Sequence, residues 1–106
     1  MIDAGICGFH TKASAESNDG QMVEFKITSG CEKIRVYADA LQKAGAVDAY
    51  QEISSANNSQ VIEVARATLK GCCIGCAVPV GIFKVMQVAG GLALPKDIEI
   101  KISKEE

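Results

Sequence analysis

A chain of 106 residues suits one domain, and with 48% apolar residues it can bury a core without metal or disulfides. A net charge of -2 and the lack of any long Lys/Arg cluster exclude the electrostatic footprint of a nucleic-acid or anionic-membrane partner. No run approaches the roughly 18 continuous apolar residues of a membrane span, and the first seven residues lack the basic and apolar regions of a secretory signal, so the cytoplasm is the expected compartment.

From Phe9 the sequence alternates, with Phe9, Thr11, Ala13 and Ala15 on one side and His10, Lys12, Ser14 and Glu16 on the other, the period of a half-buried strand. Ser17-Asn18-Asp19-Gly20 is a turn, after which Val23, Phe25 and Ile27 alternate with Glu24, Lys26 and Thr28. An antiparallel hairpin is expected. Past Ser29-Gly30 the period changes: Ile34, Tyr37, Ala38 and Leu41 share one helix face, which ends near Gly45. A short helical stretch is expected over residues 47–53. A further helix begins near Ser59, with Asn57, Asn58 and Ser59 as side-chain caps and Val61, Ile62, Ala65 and Leu69 facing inward. Residues 71–78 break it.

Pro79 suits the first turn of the last helix, whose buried face carries Ile82, Phe83, Met86 and Ala89 and which ends at Gly90-Gly91. Ile98, Ile100 and Ile102 then alternate with Glu99, Lys101 and Ser103 as a final strand. The expectation is a single cysteine-rich α+β domain over residues 1–106, in the order strand, strand, helices, strand. Its small, mainly antiparallel sheet combines the N-terminal hairpin with the C-terminal strand and carries helices on one face.

Five cysteines, Cys7, Cys31, Cys72, Cys73 and Cys76, are unevenly placed, and three of them are packed into one five-residue stretch. In a reducing compartment an odd count reads as metal ligands or reactive thiols rather than a disulfide framework. Cys7 lies between Gly5 and Gly8, Cys31 follows Gly30 at a helix start, and Cys73 stands three residues before Cys76, which precedes the last helix. Turns and helix starts can converge, and helix N-termini favour thiolate. Cys7, Cys31, Cys73 and Cys76 therefore form a candidate four-thiolate set for zinc or an iron–sulfur cluster, with Cys72 as the alternative fourth ligand.

The run Cys7-Gly8-Phe9, the hairpin with Asn18-Asp19-Gly20, and Phe25-Lys26-Ile27-Thr28-Ser29-Gly30-Cys31 resemble the U-type iron–sulfur cluster assembly scaffolds. The resemblance covers roughly residues 5–89. It implies three ligand cysteines, for which Cys7, Cys31 and Cys76 hold the matching stations. Two departures stand out: Phe9 replaces an aspartate associated with a labile cluster, and a proline-rich chaperone-binding motif is missing before the last cysteine. Partners implied are iron–sulfur or sulfur-transfer proteins. The chain also resembles a small uncharacterised family from anaerobes that shares Asp3-Ala4-Gly5-Ile6-Cys7-Gly8-Phe9 and a cysteine, valine and proline segment before the last helix.

Two other readings compete. Cys76-Ala77-Val78-Pro79 is similar to the helix start of small sulfur carriers, in which one thiol of low pKa holds a persulfide; Cys73 would then resolve a mixed disulfide. Alternatively the cysteines are buried core residues of an interaction module. His10 falls on the solvated side of its strand, and Asp3 and Asp48 are single acids. No catalytic triad, paired-carboxylate spacing or phosphate loop is found.

Overall fold

The computed structural model describes residues 1–3, 5, 7–54 and 58–104. Asn57, one of the expected caps, lies outside the described residues, as does the side chain of Cys72. The elements run β1 (Ile2–Asp3), β2 (His10–Glu16), β3 (Met22–Ser29), α1 (Glu32–Lys43), β4 (Val47–Asp48), α2 (Ala49–Glu52), α3 (Gln60–Thr68), a 3₁₀ turn (Gly71–Gly75) and α4 (Val78–Ala89).

The hairpin forms as its alternation requires. β2 and β3 pair antiparallel from Thr11 opposite Ser29 to Glu16 opposite Glu24. Asp19 closes the turn between them, its carboxylate accepting from the backbone N–H groups of Gln21 and Met22. These bonds hold the Asp19 carboxyl below its ordinary range. Thr11, Val23 and Ile27 point inward and are buried, whereas Lys12, Ser14, Glu24 and Lys26 point outward. Two short strands complete a four-stranded antiparallel sheet in the order β1-β2-β3-β4. The chain is thus an α+β domain with its helices packed against this sheet.

The helices cover the apolar face through Ile34, Tyr37, Ala38 and Leu41 of α1, Val61 and Ala65 of α3, and Val78, Ile82 and Met86 of α4. Each large side chain among them contributes about 1.5–3 kcal/mol by leaving water. The Tyr37 hydroxyl ties α1 to α3 by donating to the Val61 carbonyl oxygen at 3.1 Å. Glu52, at the end of α2, is the one buried charged residue among those described. Its carboxylate accepts from the Ser59 hydroxyl and from the backbone N–H groups of Gln60 at 2.6 Å and Val61 at 3.2 Å. Ser59 in turn accepts from the Ile62 N–H. The unpaired amides that open α3 are satisfied by a residue from the preceding helix.

Two expectations are corrected. Val47 and Asp48 are not helical: they pair with Val23 and Met22 of β3, and the helix is confined to α2. Residues 98–102 form no strand, and Ile98, Ile100 and Ile102 are exposed. Alternation specifies an apolar face but not a partner. The three isoleucines instead line a hollow of about 640 Å³ together with Ile2, Gly81 and Val85.

Candidate functional site

The register of the sheet brings the first two cysteines to one end of the molecule. Cys7 belongs to the turn between β1 and β2, which needs left-handed backbone at Gly5 (φ 92°) and Gly8 (φ 75°), conformations that strain any side chain. The Gly8 N–H donates to the Gly5 carbonyl oxygen at 2.9 Å, and the Gly5 N–H donates to the Asp3 carboxylate at 3.0 Å. On the neighbouring strand, Cys31 is the N-cap residue of α1. The two chain segments leave the sheet side by side: the Thr11 and Ser29 hydroxyls are 2.8 Å apart, and the Gly30 N–H donates to the His10 carbonyl oxygen. A methyl group added at Gly30 would touch the Phe9 ring at 3.4 Å.

The third and fourth thiols arrive from the other end of the sequence. Leu69 is buried, which anchors the exit of α3. The chain then makes the 3₁₀ turn, in which Cys73 and Cys76 are joined by a hydrogen bond from the Cys76 N–H to the Cys73 carbonyl oxygen at 3.1 Å. α4 starts immediately afterwards with Pro79 in its first turn. Gly81 lies so close to Ile2 of β1 that a Cβ there would stand 2.5 Å from the isoleucine side chain. That approach seats the beginning of α4 beside the strand leading to Cys7.

Electrostatics connect three other cysteines to Cys76. Burial foremost, and then the charges of Cys7, Cys31 and Cys73, push the Cys76 thiol above its ordinary range, against the pull of the Val78 backbone N–H. Three thiols from separate parts of the sequence therefore lie within electrostatic reach of the fourth. Lys33, in the first turn of α1, donates to the Cys73 sulfur at 3.5 Å and brings a cation to the group. Cys7 is exposed, whereas Cys31, Cys73 and Cys76 are half-buried, and these three pack against the core. As placed, the described residues include no group of three or more His, Cys, Asp or Glu side chains that could hold a metal ion.

The direction of the Cys76 shift has a measurable consequence. At a pH just above the ordinary thiol range the folded chain keeps a proton that the unfolded chain has lost, so stability falls as pH rises. Tyr37 acts in the same sense, because burial, and then the charge of Glu52, push its hydroxyl well above the usual tyrosine range. With a chelator present, the melting temperature is expected to decline steadily from about pH 9 upward. A flat or rising profile there would contradict the shifts.

His10 is exposed, with Nδ1 3.9 Å from the Asp3 carboxylate. Asp48 caps α2 by accepting from the Tyr50 and Gln51 N–H groups. Neither belongs to the sulfur group. Sequence reasoning missed Lys33, which is close to Cys73 only through the fold, and the part of Asp3 in shaping the Cys7 turn. An aspartate two residues before a turn glycine was a usable signal for the latter.

Among the described residues, Cys7, Cys31, Cys73 and Cys76 do not line the hollow beneath the C-terminal isoleucines. No helix among the described residues is long and apolar enough to cross a membrane. The model of a family of unknown function, DUF6951, matches residues 1–102 of the chain. No curated protein and no solved structure matches it.

Proposed function

We propose that this chain, which belongs to that family of unknown function, is a cytoplasmic protein that binds zinc or an iron–sulfur cluster through Cys7, Cys31, Cys73 and Cys76. The observation that supports the reading is that Cys7, Cys31 and Cys73 all lie near enough to act on the Cys76 thiol. Coordination would require χ1 changes that turn the sulfurs toward a common point. Zinc and iron–sulfur clusters both accept four thiolates.

The surroundings bear on such cargo in two ways. A bound metal would have to displace the proton that burial favours on Cys76, because the ligand is a thiolate. Four thiolates around a divalent ion leave a net charge of about -2, and the Lys33 ammonium at 3.5 Å from Cys73 offsets part of it. Partners in this reading are iron–sulfur or sulfur-transfer proteins, with a scaffold-like role for the site. A sulfur carrier would ask for a depressed pKa at Cys76, whereas its surroundings push that thiol upward.

The identity of the fourth ligand is open to a direct comparison. Cys73 has the three-residue spacing to Cys76 and the Lys33 contact, so Cys73→Ser is expected to lose most of the bound metal and Cys72→Ser to retain it. Greater loss in the Cys72 variant would reverse the assignment, and full retention in both would remove this turn from the site.

A further inference from the structure

We infer that Cys73 and Cys76 also form a dithiol–disulfide couple that exchanges with small disulfides, a chemistry available to the metal-free chain and independent of the coordination reading. The warrant is the shape of their turn. In 3₁₀ geometry the side chains of residues i and i+3 lie over one another, and here the Cys76 N–H closes back on the Cys73 carbonyl oxygen at 3.1 Å. A turn of this kind holds its first and fourth Cα atoms within about 7 Å, and a disulfide asks for about 4.4–6.8 Å. The two ranges overlap, so the backbone of this turn is compatible with a bridge once the side chains rotate toward each other.

The two thiols are half-buried, and the segment between them faces solvent. Ile74, between the two cysteines, is 62% exposed, and nothing lies within 4 Å of where a Cβ on Gly75 would stand. Lys33 sets a cation at 3.5 Å from the Cys73 sulfur, where it offsets negative charge during attack. The order of events follows. Cys73 attacks one sulfur of a small disulfide, forming a mixed disulfide and releasing one thiolate. Cys76 then attacks the Cys73 sulfur, closing the internal bridge and releasing the second thiolate. The protein loses two electrons to the small disulfide, and the two protons from its thiols pass to the released products. Oxidation removes two of the four sulfurs proposed to hold the metal, which couples retention of that cargo to the thiol state.

The test uses the full wild-type chain, stripped of metal by a chelator under anaerobic conditions and equilibrated with mixtures of reduced and oxidised glutathione. After quenching by alkylation, peptide mass analysis is expected to show the loss of two hydrogens mapped to Cys73–Cys76. Under the same conditions Cys76→Ser should trap a glutathione mixed disulfide on Cys73, while Cys7→Ser and Cys72→Ser keep the bridge. Stable glutathione adducts in the wild type, bridges mapped to other pairs, or free thiols throughout would overturn the proposal. Metal content of the reduced chain is read separately. Bridging without metal binding would sink the coordination reading alone, and metal binding without bridging would sink the couple alone.

Discussion

Cys31→Ser is expected to lose most of its bound zinc or cluster while its metal-free form melts no lower than the metal-free wild type. Cys31 already has the extended backbone of an N-cap, φ -88° and ψ 122°, yet its side chain makes no capping hydrogen bond. Serine is among the strongest N-cap residues, and a capping hydroxyl is typically worth about 1 kcal/mol. The Cys31 N–H also remains held by the Ser29 hydroxyl at 3.1 Å. As a soft-metal ligand, by contrast, a serine hydroxyl cannot replace a thiolate. The variant separates coordination from folding: metal content and the metal-bound melting temperature fall, while chelator-treated protein keeps or gains stability. Full metal retention would remove Cys31 from the site. A lower melting temperature in the chelated form would mean that the thiol serves packing.

Glu52→Ala tests the other long-range feature on which the fold depends. Without the carboxylate, the Ser59 hydroxyl and the Gln60 and Val61 N–H groups lose their acceptor at the start of α3. Leaving such donors unpaired costs about 1–3 kcal/mol, which lowers the melting temperature by roughly 4 °C or more per kcal/mol in a domain near 100 residues. Glu52→Gln, which keeps an acceptor oxygen, should lose less. An alanine variant that melts with the wild type would show that water replaces the carboxylate at no cost.

What could be read from the sequence was what local chemistry determines. The hairpin announced itself by alternation on both sides of Asn18-Asp19-Gly20. α1, α3 and α4 were legible because Ile34, Tyr37 and Leu41, then Val61 and Ala65, then Ile82 and Met86 fall on helical faces that are buried in the fold. Ser59 capped where its side chain predicted. The misses are all non-local. β1 and β4 are two residues each and exist only through their register with β2 and β3. The alternating Ile98, Ile100 and Ile102 satisfy the pattern of a strand but pair with no strand of the sheet.

The candidate site divides in the same way. Cys7, Cys31, Cys73 and Cys76 stood out by their glycines, helix starts and spacing, which are local. The influence of Cys7, Cys31 and Cys73 on Cys76 follows from sheet register and from Gly81 closing against Ile2, a contact between residues far apart in the chain. Lys33 beside Cys73 and the upward shift of Cys76 likewise follow from packing. The shift disfavours a resting thiolate at Cys76, and it required the fold to be seen.

The most direct measurement is the zinc, iron and acid-labile sulfide content of wild-type protein purified anaerobically, taken with its visible absorption spectrum. A four-thiolate site predicts either about one zinc per chain with no visible band, or iron and sulfide together with sulfur-to-iron absorption. Either cargo should be lost in Cys7→Ser and Cys76→Ser. Wild-type protein that holds none of these above background, both as purified and after anaerobic reconstitution, would contradict the account.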